Sequence, residues 1–223
     1  MTGARLTPAE VESYLAAVDW LTAVIGLPEV AAAWDRPSAL ADYSVGGVAA
    51  HAVHGGLLRL EGLLREPAPP FVHAVSVADY FGPNRVSHPG DVDPLFVALR
   101  ARSEAVAQRG PDALVTSCRE SRAALADRLR HSEADRPVAV ARVPGGTTPL
   151  SDYLRTRVLE VVVHGDDLMA SVEGLRTPEP PAAAVEVCLL VCVELARARV
   201  GDMAALRAFS RSERAAPDAL RVL

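Results

Sequence analysis

The stretch YLRTRVLEVVVHGDDLMASV, residues 153–172, decides the fold class and contains the candidate site. It carries Glu160 and His164 in a nearly continuous apolar run, where a plain core segment would have neither. Three consecutive valines have strand propensity. Upstream, however, Thr148 and Pro149 supply cap and first-turn signals, and the pattern continues for about 22 residues, which is a helical length. We therefore predict a long helix that starts at Thr148 and Pro149.

The spacing of Glu160 and His164 leaves two interpretations open. In a helix, residues four apart lie about one turn apart on one face, whereas in a strand they are separated by roughly 13 Å and could not share an ion. The pair could form an ordinary hydrogen bond on a solvated face. Because Glu160 lies inside the apolar run 158–163 and His164 directly follows it, at least one member should be buried, and a buried carboxylate requires a partner such as a cation. The second interpretation is a two-ligand metal platform.

A metal that performs chemistry commonly has three protein ligands and one open position, so a further ligand is expected. The remaining histidines are His51, His54, His73, His88 and His131. The last three lie in a proline-rich segment or at the end of a polar helix, which indicates surface residues. His51 lies in the apolar helix start VAAHAVHGGLL, where it is either a core histidine or a ligand. His54 could support the site from behind the ligands or replace one of them.

The rest of the chain shows mainly helical periodicity. Thr7, Pro8 and Glu10 form an N-cap, first-turn and capping-box pattern that predicts a first helix. A second helix is predicted over residues 48–66, with a local irregularity or close backbone approach at its adjacent glycines. Residues 67–94 are predicted to form a long loop, which could line one side of the substrate-binding site. The next helical region is either two helices separated at Gly110 or one helix kinked there. It is followed by a small hairpin in RPVAVARVPGGTTPL and by a last long helix. These elements predict a mainly α helix bundle with a small β-hairpin insertion.

Composition excludes some function classes. The net charge of -5 and the pI near 5.7 argue against a nucleic-acid surface. We find no apolar run of about 20 residues that could span a membrane and no signal-peptide pattern, so a cytoplasmic protein is expected. The three cysteines match no zinc or redox spacing and are interpreted as reduced packing residues: Cys118, Cys188 and Cys192.

Two separate motifs resemble the mycothiol-dependent maleylpyruvate isomerase family, a branch of the DinB-like metal-binding four-helix bundles. The first, in AAWDRPSALADYSVGGVAAH, is met by Trp34, Asp35, Pro37, Tyr43, Ser44, Val45 and His51. The second is met by Glu160, His164, Gly165, Asp167 and Leu168. The chain departs from the family pattern at Tyr43, where tryptophan is usual, and at Gly47, where aspartate is common. The likeness covers most of the chain.

The resemblance implies a site and a chemistry. It implies that His51, Glu160 and His164 bind a divalent metal, usually zinc, which holds mycothiol as a thiolate. Attack on a small electrophile then gives cis/trans isomerisation, of the maleylpyruvate type, or S-transfer of the thiol. The alternative is a non-catalytic bundle that a metal stabilises or that sequesters a small ligand. Nucleic-acid and membrane partners are not expected, and the protein is expected to be a monomer or homodimer.

Further residues are assigned on weaker grounds. Asp167 is a candidate catalytic and cofactor-binding residue that could orient a metal ligand or bind polar groups of the thiol, and it could equally be a surface acid of the helix. His54 is a candidate for cofactor binding. Some family members carry a further C-terminal domain with a catalytic arginine; here the tail offers Arg207 and Arg211 as candidate catalytic residues, with Arg214 beside them. We expect the bundle to cover residues 1–203 and a C-terminal helix and tail, 204–223, to pack on it.

Overall fold

The structure is a computed structural model that describes residues 4–82, 94–141, 143–175 and 179–210, together with 213, 220 and 222. Its elements in chain order are α1 (Pro8–Ile25), α2 (Pro28–Ala32), α3 (Val45–Val53), a π-helical segment (His54–Leu58), α4 (Arg59–Arg65), β1 (His73–Ala74), α5 (Val77–Phe81), α6 (Pro94–Ala107), α7 (Pro111–His131), β2 (Pro137–Ala139), β3 (Gly146–Pro149), α8 (Leu150–Ser171), α9 (Ala182–Val200) and α10 (Asp202–Ser210). The mainly α bundle with a small β insertion confirms the predicted fold class.

Helix α1 begins as its sequence predicts. The Thr7 hydroxyl oxygen accepts a hydrogen bond from the Glu10 amide at 3.2 Å, and the Glu10 carboxylate accepts one from the Thr7 amide at 2.7 Å. Pro8 occupies the first turn, where its missing N–H costs nothing. The reciprocal capping box therefore sets the start of the first bundle helix.

The central element of the bundle is α8, which packs on α1, α3 and α9. Helix α7 packs on α1 and α4, so α1, the α3–α4 helix, α7 and α8 surround one core of valine, leucine and alanine. Helix α6 covers α3 on the outside. The prediction of a helix through the valine run is confirmed, because α8 extends over 22 residues.

The predicted start of α8 is wrong by one residue, because the N-cap is Pro149 rather than Thr148. Thr148 and Pro149 belong to β3, where they pair with Val138 and Pro137 of β2, and the helix begins at Leu150. A Thr-Pro pair of this kind precedes many helices, but here both residues are paired with β2 in the sheet. Pro149 takes the N-cap position in an extended conformation.

The second helix begins earlier than predicted. The Ser44 hydroxyl caps α3 by accepting from the Gly47 amide at 2.9 Å, so the helix starts at Val45 rather than at residue 48. The predicted irregularity at the paired glycines is confirmed, because Gly55 and Gly56 lie in the π-helical segment. Close approach is confirmed too, since a Cβ on Gly56 would lie 2.5 Å from Val161 Cγ2.

The predicted hairpin is present as the antiparallel pair β2 and β3. Strand β1, which was expected to be loop, adds to β3 in parallel through the register pair His73 and Gly146. A two-residue strand carries too little pattern to be recognised from sequence. The predicted loop 67–94 also contains the short helix α5, and residues 83–93 lie outside the described part of the chain.

Helix boundaries lie at Gly110, as the sequence predicts, and at Gly201. Both glycines have positive φ, 81° and 84°, and separate α6 from α7 and α9 from α10. Helix α10 packs on α9, and the proposed boundary after residue 203 falls inside α10. The division into bundle and extension stays a prediction. None of the described helices has the length and apolar character needed to cross a membrane.

Candidate metal centre

Three donors predicted from sequence meet between α3 and α8. His51 lies on α3, and Glu160 and His164 lie one turn apart on α8. One donor atom from each residue lies within 4.8 Å of the other two. His164 Nε2 is 3.4 Å from Glu160 Oε2, and the His51 and His164 rings are 4.8 Å apart, almost perpendicular at 86°. Within the described residues this is the one group of its kind.

The donors are partly shielded from solvent. The side chains of Glu160 and His164 are 20% and 17% exposed, and His51 is also of intermediate exposure. Val161 and Val162 are buried. These two valines therefore face the core, while Glu160 and His164 face α3. The donors therefore keep some contact with solvent, while the two neighbouring valines keep little or none.

Neighbouring residues hold each imidazole by its Nδ1 atom. His164 Nδ1 lies 2.9 Å from Asp167 Oδ2. Ser103 Oγ lies 3.4 Å from His51 Nδ1, and because its own proton is donated to the Leu99 carbonyl at 2.9 Å, its oxygen is left to accept from His51. Each contact favours a proton on Nδ1 and leaves Nε2 as the lone-pair donor. Outer contacts of this type are typical of histidines that bind metals.

The protonation of the donors follows from burial and charge. Burial, with the neighbouring His164, lowers the pKa of His51 to about 4, so its imidazole is neutral near pH 7. Burial alone would lower the pKa of His164, but the hydrogen bonds with Asp167 and Glu160 outweigh it and raise that pKa to about 9. Burial would raise the pKa of Glu160, yet the contact with His164 and the charge of Arg157 hold it well below its usual range. Without an ion, a proton on His164 therefore balances the carboxylate.

The start of α3 is anchored by an acid from α6. Glu104 accepts hydrogen bonds from the amide and the hydroxyl of Ser44, both at 2.8 Å. A Cβ on Gly47 would lie 1.9 Å from Glu104 Oε1, so the absence of a side chain at 47 makes room for this carboxylate. The Tyr43 ring lies 5.5 Å from the His51 ring, edge to face. Helix α6 thus fixes both the helix that carries His51 and the imidazole itself.

The other predicted site residues are placed less centrally. His54 begins the π-helical segment, half-buried and outside the group of three donors; burial, with the charges of Arg102, Arg59 and Arg157, lowers its pKa. Arg207 is exposed on α10, and no hydrogen bond or ion pair between described residues joins it to the donors. Arg211, Arg214 and His88 lie outside the described residues. His73 and His131 are exposed, as expected.

Four residues near the site were not anticipated: Ser103, Glu104, Tyr80 and Arg157. Arg157 was recognisable in principle, since it precedes Glu160 by three residues and so shares its helix face. The other three come from α5 and α6, whose packing against α3 and α8 no sequence pattern specifies.

None of the three cysteines supplies a ready thiolate. Burial raises the pKa of Cys118 to about 11 and that of Cys188 to about 12, and it also raises the pKa of Cys192. No cysteine belongs to the donor group. Thiol chemistry at this site would therefore need a thiol from outside the chain.

The donor set suits a divalent cation. Two imidazoles and one ionised carboxylate form the two-histidine, one-carboxylate set common in catalytic zinc sites. Glu160 Oε2 and His164 Nε2 face each other at 3.4 Å, so an ion bound between them would take the place of the proton on His164.

Comparison with known proteins gives one match. No curated protein and no solved structure is significantly similar to this chain. The model of the mycothiol maleylpyruvate isomerase N-terminal domain matches residues 14–169, a span that contains all three donors. Because that span covers well over half of the chain, the protein belongs to the mycothiol maleylpyruvate isomerase N-terminal domain family.

Proposed function

We propose that this protein is a metal-dependent enzyme that uses mycothiol to attack a small electrophile, as a cis/trans isomerase or a thiol S-transferase. The observation that carries the proposal is the convergence of His51, Glu160 and His164 within 4.8 Å, with both Nδ1 atoms engaged elsewhere. Membership of a family named for mycothiol and maleylpyruvate isomerisation supports the choice of thiol and reaction class.

We infer that zinc is the resident ion. Imidazole and carboxylate donors suit zinc, and two neutral imidazoles with one carboxylate leave a divalent ion with a net positive charge. When bound, such an ion lowers the pKa of a thiol and keeps it as thiolate near neutral pH.

The chain's own residues then have separate tasks. Asp167 and Ser103 hold the two imidazoles in the orientation that an ion needs. The buried valines of α8 keep water away from one side of the site, which strengthens electrostatic interactions there. Because the cysteines are buried with raised pKa values, they do not compete as nucleophiles.

The reaction needs one bond to form and, for isomerisation, the same bond to break. The thiolate sulfur bonds to an electrophilic alkene carbon, and the electron pair of the double bond moves into the conjugated carbonyl group. Rotation about the resulting single bond and expulsion of the thiolate give the trans isomer. If the enolate instead takes up a proton, which balances the one lost by the thiol, the adduct leaves with its sulfur and the outcome is S-transfer.

We further propose that His54 binds polar groups of the thiol and that the cationic C-terminal residues Arg207 and Arg211 bind an anionic group of the substrate or thiol. His54 lies one turn after His51, which places it at the edge of the donor group. The arginine assignment rests on charge alone.

A metal could also serve only to clamp α3 to α8, since its donors come from both helices. In that case the protein would bind the ion and become more stable, but it would not consume thiol. The two functions therefore differ in a measurable way.

The test combines metal content with thiol turnover. Purified wild-type protein should hold about one zinc ion per chain, whereas His51→Ala and His164→Ala should hold far less. His131→Ala is a matched control, because His131 is exposed at the end of α7. The zinc-loaded protein should bind mycothiol and accelerate its reaction with maleylpyruvate or a simple electrophile.

Each result has a definite meaning. Zinc equally retained by His164→Ala and the control would refute the site. Zinc bound at these donors, with no mycothiol binding and no turnover of any electrophile, would refute the enzyme and leave the structural role.

A further inference from the structure

Arg157 is a fully buried cation next to the candidate metal centre. Its side chain is 2% exposed, and its guanidinium donates to the Thr156 hydroxyl at 3.1 Å, to the Gly55 carbonyl at 2.6 Å and to the Tyr80 hydroxyl at 2.6 Å. Burying an arginine is costly unless its N–H groups are satisfied. Three elements, α8, the π-helical segment and α5, supply the acceptors.

Two tyrosine rings hold the guanidinium in place but differ in one respect. The Arg157 Cζ atom lies 4.7 Å from the Tyr153 ring centre and 5.2 Å from that of Tyr80, within cation–π range. The Tyr80 hydroxyl accepts a hydrogen bond from the arginine, whereas the Tyr153 hydroxyl is buried and has no hydrogen-bond partner among the described residues. The two tyrosines therefore form a natural matched pair.

The same guanidinium also faces the carboxylate of Glu160. Arg157 Nη2 lies 3.8 Å from Glu160 Oε1, while Oε2 faces His164 Nε2 at 3.4 Å. The two carboxylate oxygens are thus divided between a fixed cation and the donor group. Nη2 also makes the contact with Tyr80, so one nitrogen links α5 to the carboxylate.

We propose that Arg157 is a positioning residue that couples the docking of α5, through Tyr80, to the orientation of Glu160 as a metal ligand. The proposal rests on the proposed metal site. If the Tyr80 hydroxyl is removed, Nη2 loses an acceptor in a buried place and regains one by moving toward Glu160, which draws the carboxylate away from His164. Metal binding should weaken as a result.

Thermodynamic reciprocity makes the coupling measurable from both ends. If the docked state of α5 favours metal binding, metal binding must favour the docked state of α5 by the same factor. Amide hydrogen exchange in residues 77–81 should therefore slow when zinc is added. This effect is a readout that loss of packing alone would not produce.

The experiment compares Tyr80→Phe with Tyr153→Phe in the full chain. Zinc affinity is measured by competition with a chromophoric chelator, and the visible spectrum of the cobalt(II)-loaded protein reports changes at the ligands. Tyr80→Phe should weaken zinc binding about tenfold and alter the spectrum, as outer contacts to metal ligands commonly do. Tyr153→Phe should leave both unchanged. Arg157→Lys, which keeps the charge but not the fork of donors, should resemble Tyr80→Phe.

Three results would overturn the proposal while leaving the metal site intact. The first is that Tyr80→Phe binds zinc as tightly as the wild type, and the second is that Tyr153→Phe loses as much zinc affinity as Tyr80→Phe. The third is that amide hydrogen exchange in residues 77–81 of the wild type does not respond to zinc. Failure of the wild-type protein to bind zinc at all would contradict the proposed function as well, so the two failures are distinguishable.

Discussion

Replacing Asp167 by asparagine should weaken zinc binding because it removes the charge that orients His164. Asp167 Oδ2 lies 2.9 Å from His164 Nδ1, a distance typical of a charge-assisted hydrogen bond. Asparagine keeps the shape and one acceptor oxygen but has no charge. The imidazole is then held less firmly in the orientation that directs Nε2 toward Glu160.

The expected loss of zinc affinity in Asp167→Asn follows from the type of contact that is removed. A hydrogen bond to a charged group contributes about 1.5–3 kcal/mol and a neutral one about 1 kcal/mol, so the change costs about 0.5–2 kcal/mol. At 1.4 kcal/mol per factor of ten, this corresponds to an affinity about two- to thirtyfold weaker. The Asp167 side chain is 28% exposed, and solvent screening favours the lower part of that range, about fivefold.

The neighbouring Asp166 provides the control. It is exposed, and no hydrogen bond or ion pair joins it to another described residue, so Asp166→Asn makes the same change in net charge without touching the imidazole. Zinc affinity is measured for the wild type and both variants by chelator competition at one pH and ionic strength. Equal affinities for the two variants would show that Asp167 acts through its charge at a distance or not at all, and the orienting role would be withdrawn.

Three further predictions concern stability and reactivity. Gly56→Ala should destabilise the fold by about 1–3 kcal/mol, because its Cβ would lie 2.5 Å from Val161 Cγ2. Gly62→Ala, whose Cβ would have nothing within 4 Å, should stabilise α4 by about 0.5–1 kcal/mol. Chemical denaturation measures both changes in the free energy of unfolding, and changes of the same sign would contradict the reasoning. Removing zinc with a chelator should lower Tm by about 5 to 11 °C if the ion was present at a hundred times its Kd, and it should leave the Tm of His51→Ala unchanged. The folded protein should react slowly with a disulfide reagent at pH 8 and faster as the pH approaches 11, since burial raises the thiol pKa values, whereas protein unfolded in urea should react at once. Rapid reaction of the native protein would contradict the buried placement of Cys118 and Cys188 and the half-buried placement of Cys192.

Sequence predicted those parts of the site that lie on long periodic elements. Glu160 and His164 were placed on one face by helical spacing alone. The third donor, His51, followed from the resemblance to a family motif, because the spacing left it as either a core histidine or a ligand. The helix ends were less predictable: α8 starts after Pro149 because Thr148 pairs with Val138 in a sheet that a local pattern does not reveal.

The residues around the donors could not be predicted for a physical reason. Ser103 and Tyr80 come from α6 and α5, and their contacts depend on how separate helices pack rather than on the spacing within one helix. Glu104 illustrates the point, since its position beside Ser44 depends on the missing side chain of Gly47, about 60 residues earlier in the chain. Such contacts are set by tertiary packing, which overrides local propensity.

The valine run and the glycine pair form the two sides of one contact, and this contact explains why the site lies where it does. In the π-helical segment, Gly56 leaves room for the side chain of Val161, and Gly55 lies so close to Glu160 that a Cβ there would be 3.3 Å from Oε2. Close approach brings the Gly55 carbonyl within reach of Arg157, whose guanidinium then faces Glu160. An uninterrupted α-helix with larger side chains would hold α3 farther from α8, and His51 would then be too distant from His164 to share an ion. The helical irregularity therefore helps to assemble the candidate metal centre, in keeping with the frequent occurrence of π-bulges at functional sites.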